Sequence, residues 1–177
     1  MEPSPTGGAS PRGPAEPPLL KLSELYKIVF MSKVEVPAVH SGKDSGAKLL
    51  HLHDILKFID CADEYFWAVL FVKGVLKEAT GKSITDVENL VNKAENGISF
   101  ETDDLIKFSE GFFQMIDVVV IGSKDREALR RYSTDNEMYA ACDWVIELVD
   151  STSWLIHSKV STLEDIKSAL SAYISSS

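Results

Sequence analysis

A chain of 177 residues, 45% of them hydrophobic and 25% charged, is long enough to bury one core without disulfides. Its formal net charge of −9, with lysine and arginine scattered along the chain, argues against nucleic acid as the main ligand and favours a cationic partner. The longest apolar run, Tyr65–Val72, is strand-sized and far short of the roughly 20 residues that cross a bilayer, so no membrane contact is expected.

Residues 1–20 are dominated by Pro, Gly, Ser and Ala and have too few large apolar side chains to offset the entropy of ordering; a disordered tail is expected there, and one domain over 21–177. Leu22, Leu25, Ile28 and Val29 have helical spacing and lead into a strand that ends at Pro37. His40–Ala47 reads as a surface loop: Gly42, Lys43 and Gly46 lack the order of a phosphate-binding loop. Leu52, Ile55, Leu56 and Ile59 then predict an amphipathic helix over Leu49–Ala62. His51 and His53, two apart, would point to different faces of a helix; in extended chain they could share a face, but no third metal ligand is near in sequence.

Tyr65–Lys77, dense in aromatic and β-branched residues, predicts a central strand with a bulge or its end at Gly74. Overlapping capping boxes at Ser83–Asp86 and Thr85–Glu88 open a short helix closed by Asn96-Gly97. Ser99 is a candidate N-cap for the next helix, whose first turn carries Glu101, Asp103 and Asp104, where the helix dipole favours negative charge; Leu105, Phe108 and Phe112 form its buried stripe. Phe113–Ile121 is a strand with a lone charge, Asp117, at a kink or in a polar niche. Arg126, Arg130 and Arg131 read as a solvated helix face, and Ser133–Asn136 as a loop.

Trp144–Val149 and Trp154–Val160 flank Asp150-Ser-Thr-Ser153 and predict a β-hairpin. Alternation puts Trp144, Ile146 and Leu148 on one face and Val145, Glu147 and Val149 on the other, with Trp154 packing across the pair or stacking on a ligand. Ser161-Thr-Leu-Glu164 opens a last helix with Leu163, Ile166, Leu170 and Tyr173 on one side. Cys61 and Cys142 sit in apolar segments without metal spacing and are expected to be buried thiols in a reducing cytoplasm. The assembly predicts an α+β fold, a mostly antiparallel sheet of about five strands with helices packed on one face; a doubly wound α/β sheet is the alternative.

The segment Leu105–Gly122, followed by Val145–Ile156 with its Asp-Ser-Thr-Ser-Trp, resembles the closing half of small bacterial α+β proteins of the toxin-immunity type. The resemblance implies a non-catalytic protein that neutralises a toxin by binding it. No catalytic, metal-binding or cofactor motif is present in the sequence. The function expected is therefore a cytoplasmic binding protein whose acidic surface meets a basic protein, with Glu101, Asp103, Asp104, Asp117, Glu147, Asp150 and Trp154 as candidate contacts. A subunit or homodimer that pairs through a sheet edge is the alternative. A hydrolase using Asp117, Asp150 and His157 would need those groups within hydrogen-bond reach.

Overall fold

The computed structural model describes residues 32–42, 46–159 and 163–176; the expected tail, the helical entry before β1 and Ser161 of the last capping box lie outside them. The described chain runs β1 (Ser32–Pro37), β2 (Val39–Gly42), β3 (Gly46–Leu49), α1 (Leu52–Leu56), β4 (Phe66–Leu76), α2 (Ile84–Lys93), β5 (Ile98–Phe100) and α3 (Thr102–Glu110). It continues β6 (Phe112–Ser123), α4 (Asp135–Ala141), β7 (Trp144–Val149), β8 (Ser153–Ser158) and α5 (Leu163–Ser176).

Six strands form one sheet in the order β1-β8-β7-β6-β4-β5, and every neighbouring pair is antiparallel. The fold is α+β, and the doubly wound alternative falls because it needs parallel neighbours. The sheet has one strand more than expected, because Ile98–Phe100 is edge strand β5, paired with Val69, Ala68 and Trp67. Ser99 is thus not the N-cap of α3; that position belongs to Glu101, whose side chain makes no capping bond. Residues 39–49, read as mostly loop, form the separate hairpin β2–β3.

Alternation along the strands sorts the interior into two layers. Val34 and Val36 of β1, Trp67, Val69 and Val72 of β4, Val118 and Val120 of β6, Trp144 and Ile146 of β7, and Trp154 and Ile156 of β8 point to the main core. They meet Leu52 and Ile55 of α1, Val91 of α2, Leu105 of α3, and Leu163, Ile166 and Leu170 of α5. The opposite face has a smaller cluster, Ala68, Leu70, Ile121 and Val145, roofed by Met138 of α4 with Leu129 and Cys142. Cys142 is buried as expected, whereas Cys61 is exposed, because it stands at a left-handed turn residue (φ 55°) after the α1 segment.

β4 outruns its short neighbour β5, and α2 covers the remaining edge. The Asn92 side chain accepts from Val72 N (3.0 Å) and donates to Val72 O (3.2 Å), and Glu88 accepts from Gly74 N (3.2 Å). Residues four apart on a helix share a face, and residues two apart on a strand share an edge direction, so one helix face supplies the bonds a further strand would make. The C-terminus of α2 is tied down by Arg131, which donates to Val91 O, Asn92 O and Ala94 O at 3.0–3.1 Å. All three arginines are exposed as expected, but they share no helix face, and Arg131 caps the C-terminus of α2. Arg126 lies 3.8 Å over the Phe66 ring, and Arg130 5.3 Å from the Tyr132 ring centroid.

Candidate functional site

The acidic residues of α3 stand beside a groove at the β5 edge. Its volume is ≈ 420 Å³, and its walls include Phe66, Ser99, Phe100, Glu101, Asp104 and Arg126. β5 puts Phe100 at one side, and the chain turns directly into α3, so Glu101, Asp103 and Asp104 leave the sheet edge together and remain exposed. Glu101 accepts from Arg126 at 3.0 Å and Asp104 from Lys107 at 3.2 Å; both pairs lie in solvent, where such contacts contribute little to stability. The arginine that stacks on Phe66 while meeting Glu101 shows what this groove accommodates: a planar cation between an aromatic face and a carboxylate.

The other candidates separate into three places. Asp117 lies under the hairpin turn and accepts from Asp150 N at 2.7 Å. That bond supports a turn in which Asp150 and Ser151 both have left-handed backbone (φ 48° and 56°) and Thr152 N donates to Val149 O, the pattern of the type I′ hairpin turn. Asp117 thus sits in the polar niche, and its partner is backbone. Trp154 is 1% exposed and its indole N–H donates to Leu50 O at 2.8 Å, so it is a core anchor, out of reach of any ligand on the folded chain.

Glu147 belongs to a third cluster, on the α4 face. Tyr139 donates to Glu147 Oε2 at 2.8 Å, and its ring stacks on His157 at 4.2 Å and 16°. His157 Nε2 is 3.5 Å from the same carboxylate oxygen, an ion-pair distance without hydrogen-bond geometry. Burial alone would push Glu147 up; His157 and the Tyr139 hydroxyl, with Lys33 farther off, outweigh it and hold the carboxyl below its ordinary range. Burial and then Glu147 push the Tyr139 hydroxyl up, so it stays a donor. The structure does not join His157 to Asp117 and Asp150. His157 pairs with Val145, and Val145 with Ile121, four residues along β6 from Asp117, which at ordinary sheet spacing is about 13 Å along the strands and about 10 Å across them.

A fourth cluster, where α1, α3 and α5 meet, went unread in the sequence. His51 and His53 stack at 5.1 Å and 10°, contrary to the different faces a helix would give them, because His51 is the extended N-cap residue (ψ 160°) and only His53 is helical. Ser109 Oγ accepts from His53 N (3.1 Å) and lies 3.3 Å from His53 Nδ1; buried Asp54 accepts from His51 N and from the Tyr173 hydroxyl, both at 3.2 Å. The residue types are those of a nucleophilic triad, but Ser109 is 1% exposed and its oxygen already holds a backbone amide, so the cluster fastens three helices. Among the described residues no group of three His, Cys, Asp or Glu is placed to hold a metal.

Burial is the main cause that lowers both histidines from 6.5; Lys57 and Lys77 add to it around them, and Asp54 and Glu110 oppose it. Protonation therefore favours the unfolded chain. Stability is full above about pH 7 and falls as pH drops through 6.5 towards the lowered folded values. Urea midpoints at pH 7.5, 6.5 and 5.5 should decline in that order, and His51→Gln/His53→Gln should flatten the decline. An unchanged slope in the double variant would assign the acid sensitivity to other groups.

No family model, curated protein or solved structure matches this chain. Among the described residues no helix is long and apolar enough to cross a membrane.

Proposed function

We propose that the protein is a non-catalytic cytoplasmic binding protein of the immunity type, which takes a basic partner protein on the surface formed by the β5 edge and the first turn of α3. The observation that carries this is the groove of ≈ 420 Å³ with Phe66 and Phe100 in its walls and Glu101 and Asp104 at its rim, next to exposed Asp103. Aromatic walls supply the desolvated contact area and exposed carboxylates the long-range attraction, a division seen where charge steers association and buried aromatics hold it. The net charge of −9 adds a field of the same sign around the site.

The test is affinity capture from native lysate with the wild-type chain and with Asp103→Lys/Asp104→Lys, each at low and high salt. A basic protein held by the wild type at low salt, and lost both in high salt and with the reversed charges, is the expected result. Equal capture by both chains would remove these carboxylates from the site. The double variant should lose about 1–2 kcal/mol, because it places two positive charges at the N-terminal end of α3 and one of them beside Lys107, so its folding is checked by unfolding before capture.

A self-association reading is favoured by a different observation. Phe71, Val75, Phe113 and Val149 are all exposed, Phe113 at 62%, on strands whose core-facing residues lie on the other side. Patches of this kind mark contact surfaces. Light scattering decides it: a monomer mass that does not rise with concentration would sink the homodimer.

A further inference from the structure

On the α2 side of α3 lies a second groove, of ≈ 290 Å³, with a different character. Its floor is apolar, built from Leu76 at the end of β4, Val87 of α2, Phe108 of α3 and Phe112 at the start of β6. The charged residues that line it are Lys82 and Lys107, with no carboxylate among its walls. In a chain with 27 acidic and 18 basic residues, that is the reverse of the overall balance. Lys107 Nζ rests 3.2 Å from Asp104 Oδ1, both side chains being largely exposed; no described carboxylate lies within ion-pair distance of Lys82. Lys82 is positioned by its own backbone, since its N–H donates to Thr80 Oγ1 at 3.4 Å while the Thr80 hydroxyl donates to Lys77 O at 2.9 Å. A shallower trough sharing Lys82 and Val87 runs on to Leu90, 63% exposed on α2, and carries Asp86 at its side, so an anionic head is placed in the groove and not in the trough.

An apolar floor with a rim of two cations selects a ligand of matching halves: an apolar tail for the phenyl and aliphatic surface, and one anionic head for the ammonium groups. We propose that this groove binds a small amphipathic carboxylate, its acyl tail along the part-exposed Leu76, Val87 and Phe108 and its carboxylate at Lys82 and Lys107. The head then takes over from Asp104 as the acceptor of Lys107, an exchange between exposed partners that strands no buried charge. The two grooves adjoin at the Asp104–Lys107 pair, but the carboxylate site does not rest on the protein partner proposed for the acidic groove.

Decanoate, below its micelle concentration, is the probe, and amide chemical shifts of the ¹⁵N-labelled full chain are the readout. Saturable shifts are expected at Thr80, Gly81, Lys82 and Gly111. Decanol, the same tail without the charge, should bind about tenfold more weakly, as should decanoate to Lys82→Glu/Lys107→Glu, the scale set by losing two exposed charge contacts. Lys82→Gln alone, at an exposed turn residue, keeps the comparison valid if the double variant folds poorly, and should weaken decanoate by roughly threefold. Equal binding of decanol and decanoate, unchanged affinity in Lys82→Gln, or shifts confined to the α4 face would each overturn the proposal.

Discussion

Replacing Trp154 with alanine should remove about 3–5 kcal/mol of folding stability, the range for deleting a buried aromatic from a packed core. The indole is 1% exposed within the main core, between the β7–β8 ladder and the turn into α1. Its N–H also satisfies Leu50 O at 2.8 Å, a carbonyl that alanine would leave buried without that donor. A domain of this size has about 5–15 kcal/mol in total, so the variant should lie near the edge of folding. Guanidinium unfolding of wild type and variant measures it. A midpoint that does not move, with an unchanged slope, would return Trp154 to the surface contacts the sequence also allows.

Gly122→Val should cost about 3 kcal/mol, the upper end for overpacking a core, which lowers the melting temperature of a chain this long by roughly 6–12 °C. Gly122 pairs with Trp67 on one side and Trp144 on the other. A Cβ built on it would come within 2.6–2.8 Å of the Trp67 ring carbons. That ring has nowhere to go: Trp67 is fully buried, and its N–H donates to Thr102 Oγ1 (3.1 Å) and Ala62 O (3.2 Å). Glycine near the end of β6 is thus required by the close approach of a side chain from the next strand. A cycle with Trp67→Phe separates this from a loss of strand propensity. Coupling between the two positions is expected, and strictly additive losses would count against the packing account.

The parts of the fold that were legible in the sequence are those whose signal is local and repeated. The hairpin declared itself through alternation over Trp144–Val149 and a polar four-residue break, and β4 through its run of aromatic and β-branched residues, including the irregularity at Gly74, where the register shifts. α4 was missed because it is seven residues long and buries only Met138, too little for a helical stripe to emerge. A capping signal was there to find: Thr134 Oγ1 accepts from Glu137 N, and Glu137 Oε2 from Ser133 N, across Thr-Asp-Asn-Glu. Without α4 there is no Tyr139 on the sheet, and so no reason to place Glu147 in a cluster instead of on a free surface. β5 hid behind a plausible N-cap at Ser99, since three residues carry no period.

The candidate site divides in the same way. That Glu101, Asp103 and Asp104 emerge together follows from their spacing at a helix start and was legible. That Phe66 and Arg126 complete a groove with them depends on a strand pairing and a turn remote in sequence, which no local pattern encodes. Likewise, Asp117 could be read as a charge in need of a niche, but only the antiparallel order of β6 and β7 shows that the niche is the turn at Asp150.

Hydrogen exchange of the chain with and without its captured basic partner tests the central claim most directly. Protection should concentrate on residues 98–104 and around Phe66, and it should weaken as salt is raised. Protection centred on Phe71, Val75, Phe113 and Val149, with residues 98–104 exchanging as in the free chain, would contradict it and move the interface away from the β5 edge.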